Sequence, residues 1–302
     1  MSEKDDEIEL IDVRHLGREH VIGAWRVGDV IVDPGPSSSL DALLPTLEAH
    51  PPRALALTHI HLDHAGAAGT LAQRFPELEV WVHERGARHL ADPSRLLDSA
   101  ARLYGEHMQT LWGEVLPVPA ERLRVLEGGE RLGPFRVAYT PGHASHHVAY
   151  LHEPSGRAFV GDVAGVRIDG GAVLAPTPPP DIDLDAWRAS LDVLESWQPT
   201  SIAVTHFGAY DDVQEQLDAL REHLAAVEVW AGELDEAEFV ARLRERAASA
   251  PRADGTPGTY AQALPPEQSY AGLQRYLRKR AEAEAEIRTG AEGSEAGAGV
   301  SR

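Results

Sequence analysis

Four side chains able to bind a metal stand within six residues, at His59-Ile60-His61-Leu62-Asp63-His64, directly after the apolar stretch Ala54-Leu55-Ala56-Leu57. Three more lie far downstream: His143 in Pro141-Gly142-His143, Asp162 in Gly161-Asp162, and His206 in Val204-Thr205-His206. Imidazole and carboxylate are the usual ligands of a zinc-class ion that performs chemistry, with one position left open for water. His59 and His61, two residues apart on an extended or turning segment, suit one ion. Asp63 and His64, where the chain enters a helix, suit a second ion beside it. Asp162 can bridge with its two oxygens, and His143 and His206 complete one ion each. In a two-ion site roughly 3.5–4 Å across, a shared water loses a proton near neutral pH and becomes a nucleophile. The chemistry indicated is hydrolysis, with Asp63 and Asp162 as the carboxylates closest to it.

These seven residues must be carried to one place by the elements around them. Residues 8 to 33 read as strands, with Gly28-Asp29 as a hairpin turn. Ser39 is placed to cap a helix over 40–49, and Pro51-Pro52 stops it. Ala54 to Leu57 is a short apolar run suited to a buried strand, so the His-rich run falls between that strand and a helix over 67–75. Further strands are expected at 79–83, 116–118, 123–126, 135–139, 147–152, 158–160 and 202–205. Helices are expected at 85–89, 94–112 and 185–197. The Gly- and Pro-rich stretch 165–180 lacks periodicity, and its Pro-rich part, 174–180, either crosses the surface or walls a pocket. Val213, Leu217, Leu220, Leu224 and Val227 then mark one face of a long amphipathic helix. Two further helices follow at 235–248 and 267–283, separated by a loop over 251–266. Each candidate ligand follows or flanks a strand, so two packed sheets with helices outside would gather the ligands at one edge.

Composition narrows the setting. The chain has 302 residues, 43% hydrophobic and 25% charged, and no cysteine, which excludes disulfides, thiolate zinc sites and iron–sulfur clusters. A formal charge of −20 disfavours nucleic acid, since phosphate binding needs clustered Lys and Arg. The acidic start Met1-Ser2-Glu3-Lys4-Asp5-Asp6-Glu7 is unlike a signal peptide, and no run approaches the ~18 apolar residues of a membrane span. A cytoplasmic protein acting on a small molecule is expected, with a homodimer as one possible assembly.

The order Thr-His-x-His-x-Asp-His-Ala-Gly, Pro-Gly-His, Gly-Asp and a final His after a strand resembles the metallo-β-lactamase-fold hydrolase superfamily, with the glyoxalase II-like branch nearest. The resemblance covers about residues 8 to 210. It implies an αββα sandwich of two mixed β-sheets flanked by helices, with a C-terminal helical extension. With the helical pattern and the small, polar end read from the residues, the expected divisions are a catalytic domain over 1–210, the extension over 211–289 and a disordered tail over 290–302. By the same resemblance His59, His61 and His143 hold one divalent ion, Asp63, His64 and His206 hold the other, and Asp162 bridges. Zinc is the expected metal, with iron or manganese as alternatives. Asp33 matches an aspartate that fixes the His-rich loop through hydrogen bonds.

A metal-bridging hydroxide would then cleave an ester-like bond, a thioester or lactone foremost, with Asp63 orienting the nucleophile or passing a proton to the leaving group. The alternatives are a mononuclear iron persulfide dioxygenase of the same fold, a phosphodiesterase, or a metal-stabilised binding module. The absence of Cys and the presence of Asp162 separate the chain from many β-lactamases of the superfamily. His61 stands where flavodiiron relatives carry Glu. For substrate contact, Tyr210 and the basic run Arg275, Arg278, Lys279 and Arg280 are the candidates, each set against a purely structural or solvated role. His146 and His147 are weighed as further ligands, with His147 read instead as a hydrogen-bonding neighbour of the site. The remaining histidines, His15, His20, His50, His83, His89, His107, His152 and His223, are read as surface or supporting residues.

Overall fold

The computed structural model describes residues 7–249 and 256–297. One sheet consists of β1 (Ile8–Asp12), β2 (Gly23–Val27), β3 (Val30–Val32), β4 (Ala54–Ala56), β5 (Glu79–His83) and β6 (Leu123–Leu126), in that spatial order. The other runs β12-β11-β10-β9-β8-β7, from β7 (Arg131–Leu132), β8 (Phe135–Tyr139), β9 (Val148–His152), β10 (Arg157–Gly161), β11 (Ser201–Val204) and β12 (Gly208–Tyr210). Both sheets are mixed: β1 to β3 form an antiparallel meander and β3 to β6 run parallel, whereas β10 and β11 are the parallel pair of the second sheet. The helices are α1 (Leu40–Ala49), α2 (Leu62–Ala65), α3 (Ala68–Arg74), α4 (Glu84–Ala91), α5 (Ser94–Tyr104), α6 (Met108–Trp112), α7 (Leu184–Ser196), α8 (Val213–Glu233), α9 (Glu236–Ala248), α10 (Thr256–Ala263) and α11 (Pro266–Gly297). The result is the αββα sandwich with C-terminal helices.

Side chains alternate along each strand, so a strand buried on both faces feeds two cores at once. Trp25, Val27, Val30, Val32, Ala54, Ala56 and Trp81 face the second sheet and meet Phe135, Val137, Tyr150 and Phe159. The residues between them, Ala24, Ile31, Leu55, Val80 and Val82, face outward onto Leu43 and Leu47 of α1 and Leu71 of α3. Burying each large apolar side chain contributes about 1.5–3 kcal/mol relative to exposure. Polar atoms also tie the sheets together close to the ligands. The Tyr150 hydroxyl donates to Leu57 O at 2.9 Å, Val148 N donates to Thr58 O at 2.8 Å, and Trp25 Nε1 donates to Val204 O at 3.2 Å.

The C-terminal helices do not stand apart. Leu217, Leu220, Leu224, Val227, Phe239, Leu243, Tyr260, Leu264 and Leu273 share one buried cluster with Ala149, Leu151, Ala158, Val160 and Ile202 of the second sheet. Packing is therefore continuous across the boundary expected at 210/211.

Several local expectations are corrected. Ser39 stands at the N-cap position of α1 as expected, but its side chain makes no capping hydrogen bond; its hydroxyl lies 3.2 Å from His15 Nδ1 instead. The helix expected over 94–112 breaks at Gly105, whose φ of 51° places it in the left-handed region. Residues 116–118 form no strand, and the edge strand β12 carries too little pattern to have been foreseen. In the loop expected at 251–266, residues 251–255 lie outside the described residues and α10 occupies much of the rest. The tail expected over 290–302 is helical through Gly297, and 298–302 lie outside the described residues.

Candidate metal centre

The ligand-bearing segments meet at one edge of the sandwich. After β4 the chain passes through Leu57 and Thr58 to His59, and α2 starts immediately after His61. The amides of His64 and Ala65 both donate to His61 O, which winds Asp63 and His64 into a helical turn. Asp162 follows β10, His206 follows β11, and His143 sits in the turn closed by Thr140 N donating to His147 O. Gly161 makes the approach of Asp162 possible: its φ is 48°, and a Cβ there would lie 2.3 Å from Thr58 Oγ1. No residue with a side chain fits that contact without movement.

All seven sequence-derived candidates come together. His61 Nδ1 lies 2.9 Å from both His59 Nε2 and His143 Nε2, which makes one triad of nitrogens. Asp63 Oδ2 lies 3.4 Å from His206 Nε2 and 3.9 Å from His64 Nε2, which makes a second triad. Asp162 stands between them. Its Oδ2 is 3.4 Å from His143 Nε2, while its Oδ1 is 3.4 Å from His64 Nε2 and 3.7 Å from His206 Nε2. Ligands bonded at about 2.0–2.2 Å to a tetrahedral ion are separated by a little over 3 Å, so both triads have the right scale.

The fit to metal rests on unpaired atoms. His64 Nε2, His206 Nε2 and Asp162 Oδ1 are buried without a hydrogen-bond partner, and all three converge on the second triad. A buried polar atom left unpaired costs about 1–3 kcal/mol, and three at one point are expensive unless something binds there. The opposite ring nitrogens are anchored. His59 Nδ1 lies 3.1 Å from Thr58 Oγ1, His143 Nδ1 2.8 Å from Pro176 O, His206 Nδ1 2.6 Å from Val21 O, and His64 Nδ1 2.8 Å from Asp33 Oδ2. Such contacts fix the ring and leave the other nitrogen to ligate. Asp33 also accepts from Thr58 N, Thr58 Oγ1 and Thr205 Oγ1, so one buried carboxylate joins the segments before His59, His64 and His206.

Electrostatics differ between the triads. Burial, reinforced by neighbouring imidazoles, lowers the pKa of His59 and His143 and takes His61 to about 3, so these rings are neutral donors. For His64 and His206, burial alone would lower the pKa, but Asp162 and Asp63 outweigh it and the values rise. The same pairing holds the Asp63 and Asp162 carboxyls below the usual range against the opposing effect of burial. The second triad is thus an anionic pocket that favours a cation.

Other candidates fall elsewhere. The Tyr210 hydroxyl donates within 2.6–2.7 Å of Arg167 O and Phe207 O and does not line the cavity beside the ligands, so its role in substrate contact is not supported by its position. Lys279 and Arg280 line a separate surface pocket with Asp181 and Asp185, and neither Arg275 nor Arg278 reaches the ligand cavity. His147 is as expected a neighbour: its Nδ1 lies 2.9 Å from Thr140 Oγ1 and its ring stacks on His59. His15, His83, His152 and His223 are buried rather than on the surface. His15 stacks on Trp112 with ring centroids 5.6 Å apart and lines the cavity.

That cavity, about 340 Å³, opens beside His61, Asp63, His143, Asp162 and His206. Its walls come from α5 and α6 (Leu96, Ala100, Leu103, Tyr104, Leu111, Trp112), from Pro176 and Pro178–Pro180, and from Leu264, Pro265 and Gln268. The Pro-rich loop, expected either to cross the surface or to wall a pocket, is a wall; the wall residues from the helices were not foreseen. The spacing Leu96, Ala100, Leu103 marks a helix face, but nothing in it says the face looks onto a site rather than a core.

Comparison with known proteins agrees with this geometry. Residues 28–208 match the metallo-beta-lactamase superfamily, and the chain belongs to that family. It is 30% identical over 188 residues to the metallo-beta-lactamase fold-containing protein ST1585 of Sulfurisphaera tokodaii, an alignment covering 59% of this chain and 68% of that protein. The solved structure of ST1585 superposes with a TM-score of 0.67, covering 89% of this chain and 98% of that one, at 23% identity. Hydroxyacylglutathione hydrolase of Salmonella typhi is 32% identical over 139 residues, which span 44% of this chain and 41% of the enzyme. TTHA1623, solved in a di-iron-bound form, superposes with a TM-score of 0.51 at 26% identity, covering 73% and 96% of the two chains. The described residues include no helix long and apolar enough to cross a membrane.

Proposed function

We propose that this chain is a binuclear metal-dependent hydrolase that cleaves an ester-like bond, a thioester or lactone, in a small molecule. The observation that carries the reading is Asp162: its two oxygens face two different triads, and the one facing the second triad is buried and unpaired. His59, His61 and His143 would hold one ion, Asp63, His64 and His206 the other, and Asp162 both. This donor set of nitrogen and oxygen suits zinc, and also iron or manganese. Two bound ions would supply Lewis acidity, lowering the pKa of a water and polarising a carbonyl.

The chain's own residues do the rest. The cavity beside the cluster is lined by Asp63 and Asp162, so an acyl group held there brings its carbonyl next to them. The Asp63 side chain is 23% exposed against 4% for Asp162, which makes Asp63 the carboxylate that a leaving group can reach. In net terms the oxygen of water joins the carbonyl carbon, the C–O or C–S bond breaks, and a proton passes to the departing oxygen or sulfur. Asp63 is the residue placed to carry that proton.

The likeness to hydroxyacylglutathione hydrolases supports ester-like chemistry, and the di-iron form of TTHA1623 supports two ions in a related site. A mononuclear iron oxygenase leaves the atoms of the second triad without a purpose. The deciding measurement is metal content of protein purified without added metal, paired with ester and thioester turnover and oxygen uptake. Two equivalents with hydrolysis and no oxygen uptake is the expected result. One iron with oxygen consumption and sulfite production would overturn it.

A further inference from the structure

We propose that the cavity beside the ligand cluster selects an uncharged acyl compound whose acyl chain is apolar, in preference to a glutathione thioester or a phosphodiester. The inference rests on the hydrolase reading above and specifies its substrate class. Among the described residues, no Arg or Lys lines this cavity. Its titratable groups are the ligands His61, Asp63, His143, Asp162 and His206, together with His15 and Tyr104. The wall is built from Leu96, Ala100 and Leu103 of α5, Leu111 and Trp112 of α6, and Leu264 between α10 and α11.

Several polar groups in that wall are already paired, and Trp112 Nε1 is buried without a partner. The Tyr104 hydroxyl donates to Gln268 Oε1 at 3.2 Å, joining α5 to α11 across the cavity, and Gln262 Nε2 donates to His15 O at 3.0 Å. His15 Nδ1 is taken by Ser39. A ligand buried here therefore meets a largely apolar wall in which the Trp112 Nε1–H is a free donor but, among the described residues, no cation stands. A glutathione moiety carries two carboxylates remote from its thioester, and burying either beside this wall without a cation would cost several kcal/mol. The basic side chains Lys279 and Arg280 line another pocket, where Asp181, Asp183 and Asp185 stand beside them. The overall charge of −20 further slows the approach of an anion. An alkyl chain meets none of these costs and gains from leaving water.

The test uses the full chain loaded with metal and a series of p-nitrophenyl esters from acetate to decanoate. Each methylene that enters the cavity should raise kcat/KM about threefold to fourfold until the chain fills the space. S-Lactoylglutathione and bis(p-nitrophenyl) phosphate should fall roughly 100-fold or more below the octanoate ester, as expected when a charged group finds no partner. Leu103 is 40% exposed at the cavity mouth, so Leu103→Arg should fold and flatten the chain-length series. Calorimetric titration of metal-free protein with acetamide, hexanamide and octanamide reads the cavity without chemistry, and affinity should rise along that series. Rising amide affinity with no ester turnover would sink the hydrolase reading and leave the substrate pocket supported. A flat ester series, preference for S-lactoylglutathione, or no octanamide binding would each overturn the proposal.

Discussion

The Asp33 carboxylate accepts the Nδ1–H of His64 at 2.8 Å, with both side chains fully excluded from solvent. The same carboxylate holds Thr58 and Thr205, so one residue at the end of β3 sets three ligand segments at once. The backbone of Asp33 is left-handed, with φ of 48°, a conformation that Asn tolerates and most other residues do not. Asp33→Asn therefore keeps the backbone and the volume and changes the hydrogen bonds alone. It should lower stability by about 2–4 kcal/mol and metal affinity roughly 10–100-fold, because an amide nitrogen would face donors. Chemical denaturation and competition with a chelator measure the two effects, and unchanged metal affinity would remove Asp33 from its positioning role.

Asp162→Ala removes the group shared by both triads. Turnover should fall by a factor on the order of 1,000 or more and bound metal should drop below two equivalents. His61→Ala should behave similarly. His89, whose Nε2 pairs with Arg88 on the exposed side of α4, is the control, and His89→Ala should leave both readouts near the starting value. Full activity in the Asp162 variant would discard the two-ion assignment.

Gly161→Ala probes the contact that lets β10 deliver Asp162. The added methyl would press on Thr58 Oγ1 and on His147 Nε2, the latter at 2.9 Å, in a backbone region that alanine adopts only with strain. A loss of about 2–4 kcal/mol is expected, with metal stoichiometry reduced even in the fraction that folds. Thermal unfolding together with metal analysis checks this; a stable variant with full metal would show that the close approach is dispensable.

His223 offers a pH test away from the ligands. It lies on the buried face of α8, its Nδ1 accepts from Ala175 N at 2.9 Å, and burial followed by the nearby Arg246 lowers its pKa to about 3. Below pH 6.5 the unfolded chain binds a proton there that the folded chain refuses, so this residue makes stability fall as pH drops from 6.5 toward 3. The slope amounts to about 1.4 kcal/mol per pH unit over that window. His223→Asn keeps an acceptor for Ala175 and removes the titration. Its stability curve should be flatter than the parent's between pH 6.5 and 4 by about that amount, and parallel curves would contradict the assignment.

Much of this molecule was legible from local pattern. The alternation in Ala24-Trp25-Arg26-Val27 and Val30-Ile31-Val32 announced strands, and the run Ala54-Leu55-Ala56-Leu57 announced a strand buried on both faces. The step of Leu217, Leu220, Leu224 and Val227 announced the buried face of α8. Short or broken elements were not legible. β12 is three residues without a clear pattern, and α5 and α6 read as one helix because Gly105 alone does not say which φ it adopts.

The sequence by itself determined the donor set: three imidazoles and a carboxylate in one run, followed by His143, Asp162 and His206, each after a strand. Residue type and spacing suffice for that, since ligand chemistry belongs to the side chain and the turn that carries it. Only the tertiary structure decided that Asp162 splits its oxygens between two triads, that Asp33 binds three segments together, and that α5, α6 and the C-terminal helices close an apolar cavity over the site. Those are relations between residues as far as 247 positions apart in sequence, as for Gln262 and His15. They depend on how two sheets and their helices exclude water together, which no local pattern encodes.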